Sequence, residues 1–413
     1  MLRKAIAVLS LGSIATLGLS CVVRPTNAVG ARPSFEIEHH VARGRPAADI
    51  VAACGEGGLT DHGRARLLRQ PYLQNVTGQS ASVLWTSKAA EATMDVTRPN
   101  RAVVAHVPAA VDGSARPASG RQLFASVGGL EPGEIYCYTL RDERGLLTRP
   151  TGFRTAPPPG EGSTLRFVVF GDSGDGSHGQ YDVLRQLGTV PFDLAVVTGD
   201  VAYGSGKLKE LEEYYFGVYK ELIRSVPIVP VAGNHDYGTD NAGPFREVFH
   251  LPDNGGPEGR ERWYSFDYGD VHFVALDTEV MGSEQAAWLE RDLSKTARRW
   301  TVVYTHKPPY SSGMHGSELE FRERFGPILE KHRVPLVLAG HEHDYERTRP
   351  IAGVTYVVTG GGGRTPRGVG FSAFTAVSEA ILHFVHITVE PQKMTLVAID
   401  DAGREFDSVA IQR

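Results

Sequence analysis

Five apolar runs in the C-terminal part of the chain each end in a turn that carries a side chain able to hold a metal ion or a proton. They are "LRFVVFGDSG" with Asp172, "LAVVTGDVAY" with Asp200 and Tyr203, "PIVPVAGNHD" with Asn234 and His235, "WTVVYTHKPPY" with His306, and "VPLVLAGHEHDYE" with His341 and His343. Apolar runs of this length read as buried strands, and helical patterns near residues 181–187 and 208–222 fall between them. Strands alternating with helices predict an α/β sheet, with ligand-binding groups at the carboxyl ends of the strands. The glycines beside four of the five clusters let the chain turn out of a strand without a side chain filling the pocket. "VHFVALDT", "VTYVVTG", "HFVHITV" and "MTLVAID" continue the strands to the end of the domain.

The chain of 413 residues exceeds one typical core, and its 41% hydrophobic content is enough for two. A net charge of -5 gives no broad cationic surface, so a nucleic-acid partner is not expected. Ahead of the α/β region, "ASVLWTS" alternates with Val83 and Trp85 on one face, and "IYCYTL" with Tyr136 and Tyr138. Both read as half-buried strands, and their tyrosines and tryptophan are expected to face the core of a small all-β sandwich. "TAPPPGEGST", residues 155–164, is a Pro/Gly-marked boundary. The expected organisation is an export signal over 1–28, a linker or arm over 29–65, the β domain over 66–156, a linker over 157–164 and the catalytic domain over 165–413.

The export signal is read from Arg3 and Lys4 ahead of the apolar stretch 5–19. Its "LGLSC" end resembles a bacterial lipoprotein cleavage box, which would acylate Cys21, although Gly18 stands where a branched aliphatic residue is usual. The alternative is ordinary cleavage near Ala28. Either reading predicts an exported protein, lipid-anchored to a membrane or periplasmic or secreted. In an oxidising compartment Cys54 and Cys137 form a disulfide candidate, with two separate thiols as the alternative.

One "GD" or "GHxH" is commonly a turn or a surface feature, but five such clusters in order specify a site. Mixed oxygen and imidazole donors suit two first-row metals held close together. Histidines outside the clusters, His39, His40, His62, His106, His250, His332, His383 and His386, are assigned structural roles.

This motif set resembles the purple acid phosphatases, in which a fibronectin type III-like domain precedes a calcineurin-like metallophosphoesterase fold of two facing sheets flanked by helices, an αββα sandwich. The resemblance covers residues 66–413. It implies that Asp172, Asp200, Tyr203 and His343 hold one metal and that Asp200, Asn234, His306 and His341 hold the other, with Asp200 bridging. Most metallophosphoesterases begin with Asp-x-His, whereas this chain has Asp172-Ser173-Gly174, and Tyr203 replaces the missing ligand as a phenolate. A tyrosine with an ordinary pKa of about 10 ionises near neutrality only beside a strong Lewis acid, which favours Fe(III) there. The second site suits a divalent ion, Fe, Zn or Mn.

The activity implied is hydrolysis of small phosphate monoesters, with a hydroxide activated by the metals as nucleophile. His235 matches the family's phosphate-contacting histidine, and His315 falls where the family often carries another; either supplies the leaving group's proton. Asp236 stands where a longer Glu is common. The same scaffold also serves phosphodiesterases and nucleotidases, and its ligands would permit redox chemistry at an iron pair or a binding module with structural metals. "TGGGGRTPRG", residues 359–368, reads as a flexible, exposed loop whose Arg364 and Arg367 are candidates for the substrate entrance.

Overall fold

The computed structural model describes residues 38–89, 91–113, 120–160, 162 and 164–413. The expected export signal and Cys21 lie outside the described residues. Among those described, no helix is long and apolar enough to cross a membrane.

The N-terminal part is built from two antiparallel sheets. One orders the strands Leu67–Gln74, Ser80–Ser87, Arg121–Gly128 and Ala110–Val111; the other orders Val103–Pro108, Thr93–Thr97, Ile135–Asp142 and Gly145–Leu146, with Thr151–Arg154 also on Ile135–Asp142. Alternation predicts a half-buried Ser80–Ser87, but the strand is buried at all but its first residue. Val83 and Trp85 face one way and Leu84 the other; Leu84 pairs with Tyr72, on the face that meets the α/β part through Val248 and Glu247.

Of the expected linker or arm over 29–65, residues 38–65 are described. Short helices at Ala48–Cys54 and Asp61–Arg66 fold onto the β-sheets, the second capped by the Thr60 side chain accepting from the Gly63 amide. The first helix ends at Cys54, which is disulfide-bonded to Cys137. A Cβ at Gly152 would lie 2.6 Å from the Cys54 sulfur, so the bridge passes over a strand where only glycine fits.

Among the described residues, two mixed sheets with helices packed on them form the rest of the chain. The six-stranded one runs Ile228–Pro230, Leu194–Val197, Leu165–Phe170, His383–Val389, Lys393–Asp400, Glu405–Gln412, its first three strands parallel. The seven-stranded one runs Tyr264–Tyr268, Val271–Ala275, Trp300–Tyr304, Leu336–Ala339, Thr355–Thr359, Tyr345–Thr348, Thr375–Glu379. Its second to fifth strands are parallel. Phe167 meets Phe273 edge-on at 5.1 Å between the sheets, and Arg347 donates to Asp407 with both Nε and Nη2, at 2.6 and 2.9 Å. The pleat divides the seven-stranded sheet cleanly. Phe273, Val302 and Leu338 face the other sheet, while Val274, Val303 and Val337 join Leu289, Phe321 and Leu329 of the helices Ser283–Leu293, Leu319–Arg324 and Gly326–Lys331.

The β part is fastened to the α/β part by polar contacts and a shared apolar core. Arg69 pairs with Glu212, the Tyr72 hydroxyl donates to the Val248 carbonyl, and Tyr138 donates to the Arg224 carbonyl at 2.8 Å.

Candidate metal centre

All five clusters arrive at one edge, because each follows a parallel strand: Leu165–Phe170, Leu194–Val197 and Ile228–Pro230 from one sheet, Trp300–Tyr304 and Leu336–Ala339 from the other. Parallel strands deposit their carboxyl ends side by side, and two facing sheets then bring two sets of ends together. Asp172 at φ 56, Asp200 at φ 50 and His341 at φ 69 leave their strands in the left-handed region. Such residues cost about 1–3 kcal/mol each and persist only where the surroundings hold them, a mark of functional sites. The glycines between strand and donor have a steric reason. A Cβ on Gly199 would stand 2.5 Å from His306 Nδ1, and one on Gly340 2.5 Å from Asp172 Oδ2.

Asp172, Asp200 and His306 are buried and each offers a donor atom within 4.8 Å of the other two. On one side of Asp200, the Tyr203 hydroxyl lies 3.0 Å from Asp172 Oδ1 and 3.2 Å from His343 Nε2. On the other, His306 Nε2 lies 2.9 Å from Asn234 Oδ1 and 3.4 Å from Asp200 Oδ1, and the His341 ring stands 5.0 Å from that of His306. All seven residues expected to bind metal are therefore gathered in one place, in two groups that meet at Asp200.

The imidazoles are turned by backbone carbonyls. His306 Nδ1 lies 2.8 Å from the Thr198 carbonyl and His343 Nδ1 lies 3.2 Å from that of Thr365. A carbonyl only accepts, so the proton sits on Nδ1 and the Nε2 lone pair of each ring faces carboxylate, phenol or amide oxygens. Lone pairs directed at oxygen acceptors have no stable arrangement without a proton or cation among them. The donor chemistry fits a metal, and the carbonyls serve as the outer partners that such histidines ordinarily have.

The electrostatics agree. Burial, and then Asp200, hold the Asp172 carboxyl well above the usual carboxylate range; burial, Asp172 and Asp200 raise the Tyr203 phenol well above its ordinary value. Burial and neighbouring cationic groups depress His343 to about 4, and burial with His306 depresses His341 to about 2. His341 and His343 stay neutral, as ligands must be, and acidic groups crowded this closely call for positive charge among them.

His235 and His315 are both at the site. The His235 amide donates to Asp200 Oδ1 at 2.9 Å, its Nδ1 faces the Gly204 carbonyl at 2.7 Å, and its ring lies 4.4 Å from that of Tyr203. His315 is exposed, with its ring 4.4 Å from that of His341. Asp236 is fully buried and accepts from the amides of Gly233, Val201 and Ala202 at 2.8, 3.1 and 3.2 Å. The shorter arm thus ties the Asp200 turn to the Asn234 turn through backbone.

The glycine-rich segment after Thr359 differs from the expectation of an exposed loop. Gly360 to Gly363 are buried, and a Cβ on Gly360 would stand 2.7 Å from Asp172 Oδ2. The Arg364 amide donates to the Asp172 carbonyl at 3.0 Å, and its guanidinium lies 4.6 Å over the Tyr203 ring while pairing with Asp175. Sequence reasoning missed Glu342, between two of the histidines; the signal was a carboxylate placed inside a ligand motif after an apolar run.

Residues 165–345 match the family model for calcineurin-like phosphoesterases. This is a calcineurin-like metallophosphoesterase domain. Its chain has purple acid phosphatase homologues. It is 30% identical over 296 residues to purple acid phosphatase 23 of Arabidopsis thaliana, covering 61% of this chain and 64% of that one. It is 29% identical over 274 residues to probable inactive purple acid phosphatase 27 of the same plant, covering 55% and 44%. The chain spans about half the length of such curated relatives, from 44% to 64% of the first four. Among solved structures, the metallophosphoesterase fold matches purple acid phosphatase PPD1 from yellow lupin (Lupinus luteus) seeds with a TM-score of 0.74 at 23% identity, over 83% of this chain and 74% of that one.

Proposed function

We propose that this chain hydrolyses phosphate monoesters at a dinuclear metal centre, as an exported enzyme of the purple acid phosphatase type with a fibronectin III-like domain ahead of its αββα catalytic domain. The observation that carries the reading is the convergence of neutral imidazole lone pairs on two buried carboxylates and a phenol. Asp172, Asp200, Tyr203 and His343 would hold Fe(III), and Asp200, Asn234, His306 and His341 a divalent ion, Fe, Zn or Mn. When bound, the pair supplies Lewis-acid polarisation of the phosphoryl oxygens and an activated water as nucleophile.

The protein's own residues supply the rest. His235, tied to the Gly204 carbonyl through Nδ1, presents Nε2 for a phosphate oxygen or for the departing alcohol. His315, one ring outward from His341, stands where a leaving group would pass. Some relatives have "probable inactive" in their names, but this chain keeps all seven donors, which favours activity. Acylation at Cys21 would add a lipid anchor to the exported protein.

The test is to strip the protein with a chelator, restore iron and zinc, and assay a monoester and its diester in parallel. Metal-dependent hydrolysis of the monoester supports the proposal. Preference for the diester would make the protein a phosphodiesterase or nucleotidase on the same scaffold, and a metal-replete protein that cleaves neither would leave it a binding module.

A further inference from the structure

We propose that Glu342 is a positioning residue that holds His315 in place to protonate the leaving alcohol; the proposal rests on the phosphoesterase reading above. Glu342 is fully buried between His341 and His343. Its carboxylate accepts from three successive amides of the loop that carries His315: Met314 at 3.1 Å, His315 at 2.5 Å and Gly316 at 3.0 Å. The same carboxylate lies 3.2 Å from His315 Nδ1. A Cβ on Gly313 would stand 2.6 Å from the Glu342 carboxyl carbon, so the loop closes over the carboxylate only with glycine there.

One buried carboxyl group thereby fixes both the path of the loop and the rotation of the ring. With Nδ1 turned inward to the carboxylate, Nε2 is left on the exposed edge of an imidazole tilted beside that of His341. A proton donor must be in hydrogen-bonding reach of the oxygen it serves, and geometry precedes every other requirement. As the bond from phosphorus to the ester oxygen breaks, the electron pair stays on that oxygen. It takes the proton from Nε2, leaving a neutral ring whose Nδ1–H still donates to the Glu342 carboxylate. A buried carboxylate behind an imidazole does the same orienting work in hydrolytic triads.

Two further groups border the arrangement. Arg367 Nη1 is 3.3 Å from His315 Nδ1 and 3.5 Å from the His341 carbonyl, which makes it a rival partner for the same nitrogen. Glu346, four residues on, receives the Ser312 amide at 2.6 Å and its hydroxyl at 2.8 Å, pinning the start of the loop without touching His315.

The experiment compares kcat on two esters, glycerol 2-phosphate, whose alkoxide needs a proton to leave, and 2,4-dinitrophenyl phosphate, whose phenolate does not. His315→Ala should slow the first by about 10²-fold and the second by less than about threefold. Glu342→Gln, which keeps an oxygen for the loop amides but loses the charge behind the ring, should reproduce that selective loss at about 10-fold or more. The double variant should be no slower than His315→Ala alone. Glu346→Gln should affect the two esters equally.

Equal slowing of both esters by Glu342→Gln, or additive losses in the double variant, would overturn the proposal by making Glu342 a structural prop. If His315→Ala spares the alkyl ester, the proposal falls while the phosphoesterase reading stands; if the wild-type protein cleaves neither ester, that reading itself falls. A measurement on the zinc-loaded wild-type protein needs no Glu342 variant to fold. The histidine ¹⁵N signal missing in His315→Ala should show a protonated Nδ1, and an unprotonated Nδ1, facing Arg367, would contradict the assignment.

Discussion

Tyr203→Phe deletes a single oxygen, and the structure says what that oxygen touches. It lies 3.0 Å from Asp172 Oδ1 and 3.2 Å from His343 Nε2. The ring itself is held independently, by the His235 ring at 4.4 Å and the Arg364 guanidinium at 4.6 Å, so Phe should occupy the same place. Asp172 keeps the His341 amide on its other oxygen at 2.8 Å. The folding cost is therefore that of one buried hydrogen-bonding group, about 1–2 kcal/mol. Three donors of that pole survive, Asp172, Asp200 and His343. Metal should be retained but weakened by at least the roughly 10- to 100-fold that follows loss of an outer partner. If Tyr203 binds Fe(III) as a phenolate, the wild-type protein is coloured by charge transfer, and the variant loses the visible band. Turnover should fall less than tenfold at saturating metal, because the phenolate is not the nucleophile. The assay is visible absorption, metal retention against a graded chelator, and steady-state hydrolysis on one preparation. An iron-loaded variant with the wild-type band and wild-type metal retention would refute the reasoning, leaving Tyr203 as a core phenol.

Asp236→Ala removes the acceptor of three buried amides; at about 1–3 kcal/mol for each orphan, denaturant midpoints should report a loss of at least about 3 kcal/mol, and a change within about 0.5 kcal/mol would show the tie to be idle. Metal uptake by the stripped protein should release protons. Burial, Asp172 and Asp200 hold the Tyr203 phenol well above its ordinary value of about 10, so near neutrality it keeps a proton that a cation expels, whereas His341 at about 2 and His343 at about 4 hold none. Affinity should then rise with pH, and uptake in weak buffer with no proton release would contradict the charge distribution. Reducing the Cys54–Cys137 bridge, which closes a separation of 83 residues, should cost about 4 kcal/mol of stability by its effect on the unfolded chain. An unchanged melting temperature under reductant would count against it.

What could be read from the sequence was local, and what could not was spatial. An apolar run and a donor, with a glycine between them in every cluster but that of His306, identify a strand end without any partner, so Asp172, Asp200, Asn234, His306, His341 and His343 stand out as a set. Periodicity does not say that Thr375–Glu379 pairs with Tyr345–Thr348, or that His383–Val389 runs beside Leu165–Phe170, because pairing depends on contacts far apart in the chain. The segment 359–368 was misjudged for the same reason. Its glycines look like flexibility in one dimension, but Gly360 and Gly362 are small because Asp172, Glu342 and Gly171 already occupy the space a Cβ would need. Glu342 was invisible as a functional group because its partners lie 26 to 28 residues away, on a loop whose approach only the fold creates.

The claim that most needs testing is that two cations share Asp200 in a working phosphoesterase. Metal content and phosphate monoester hydrolysis, measured together on wild-type protein and on Asp200→Asn after loading with iron and zinc, test it directly. The account predicts two metals per wild-type chain, activity that tracks their sum, and in the variant the loss of both metals together with hydrolysis. One metal per fully active chain, or an Asp200→Asn protein that keeps both metals and its turnover, would contradict it.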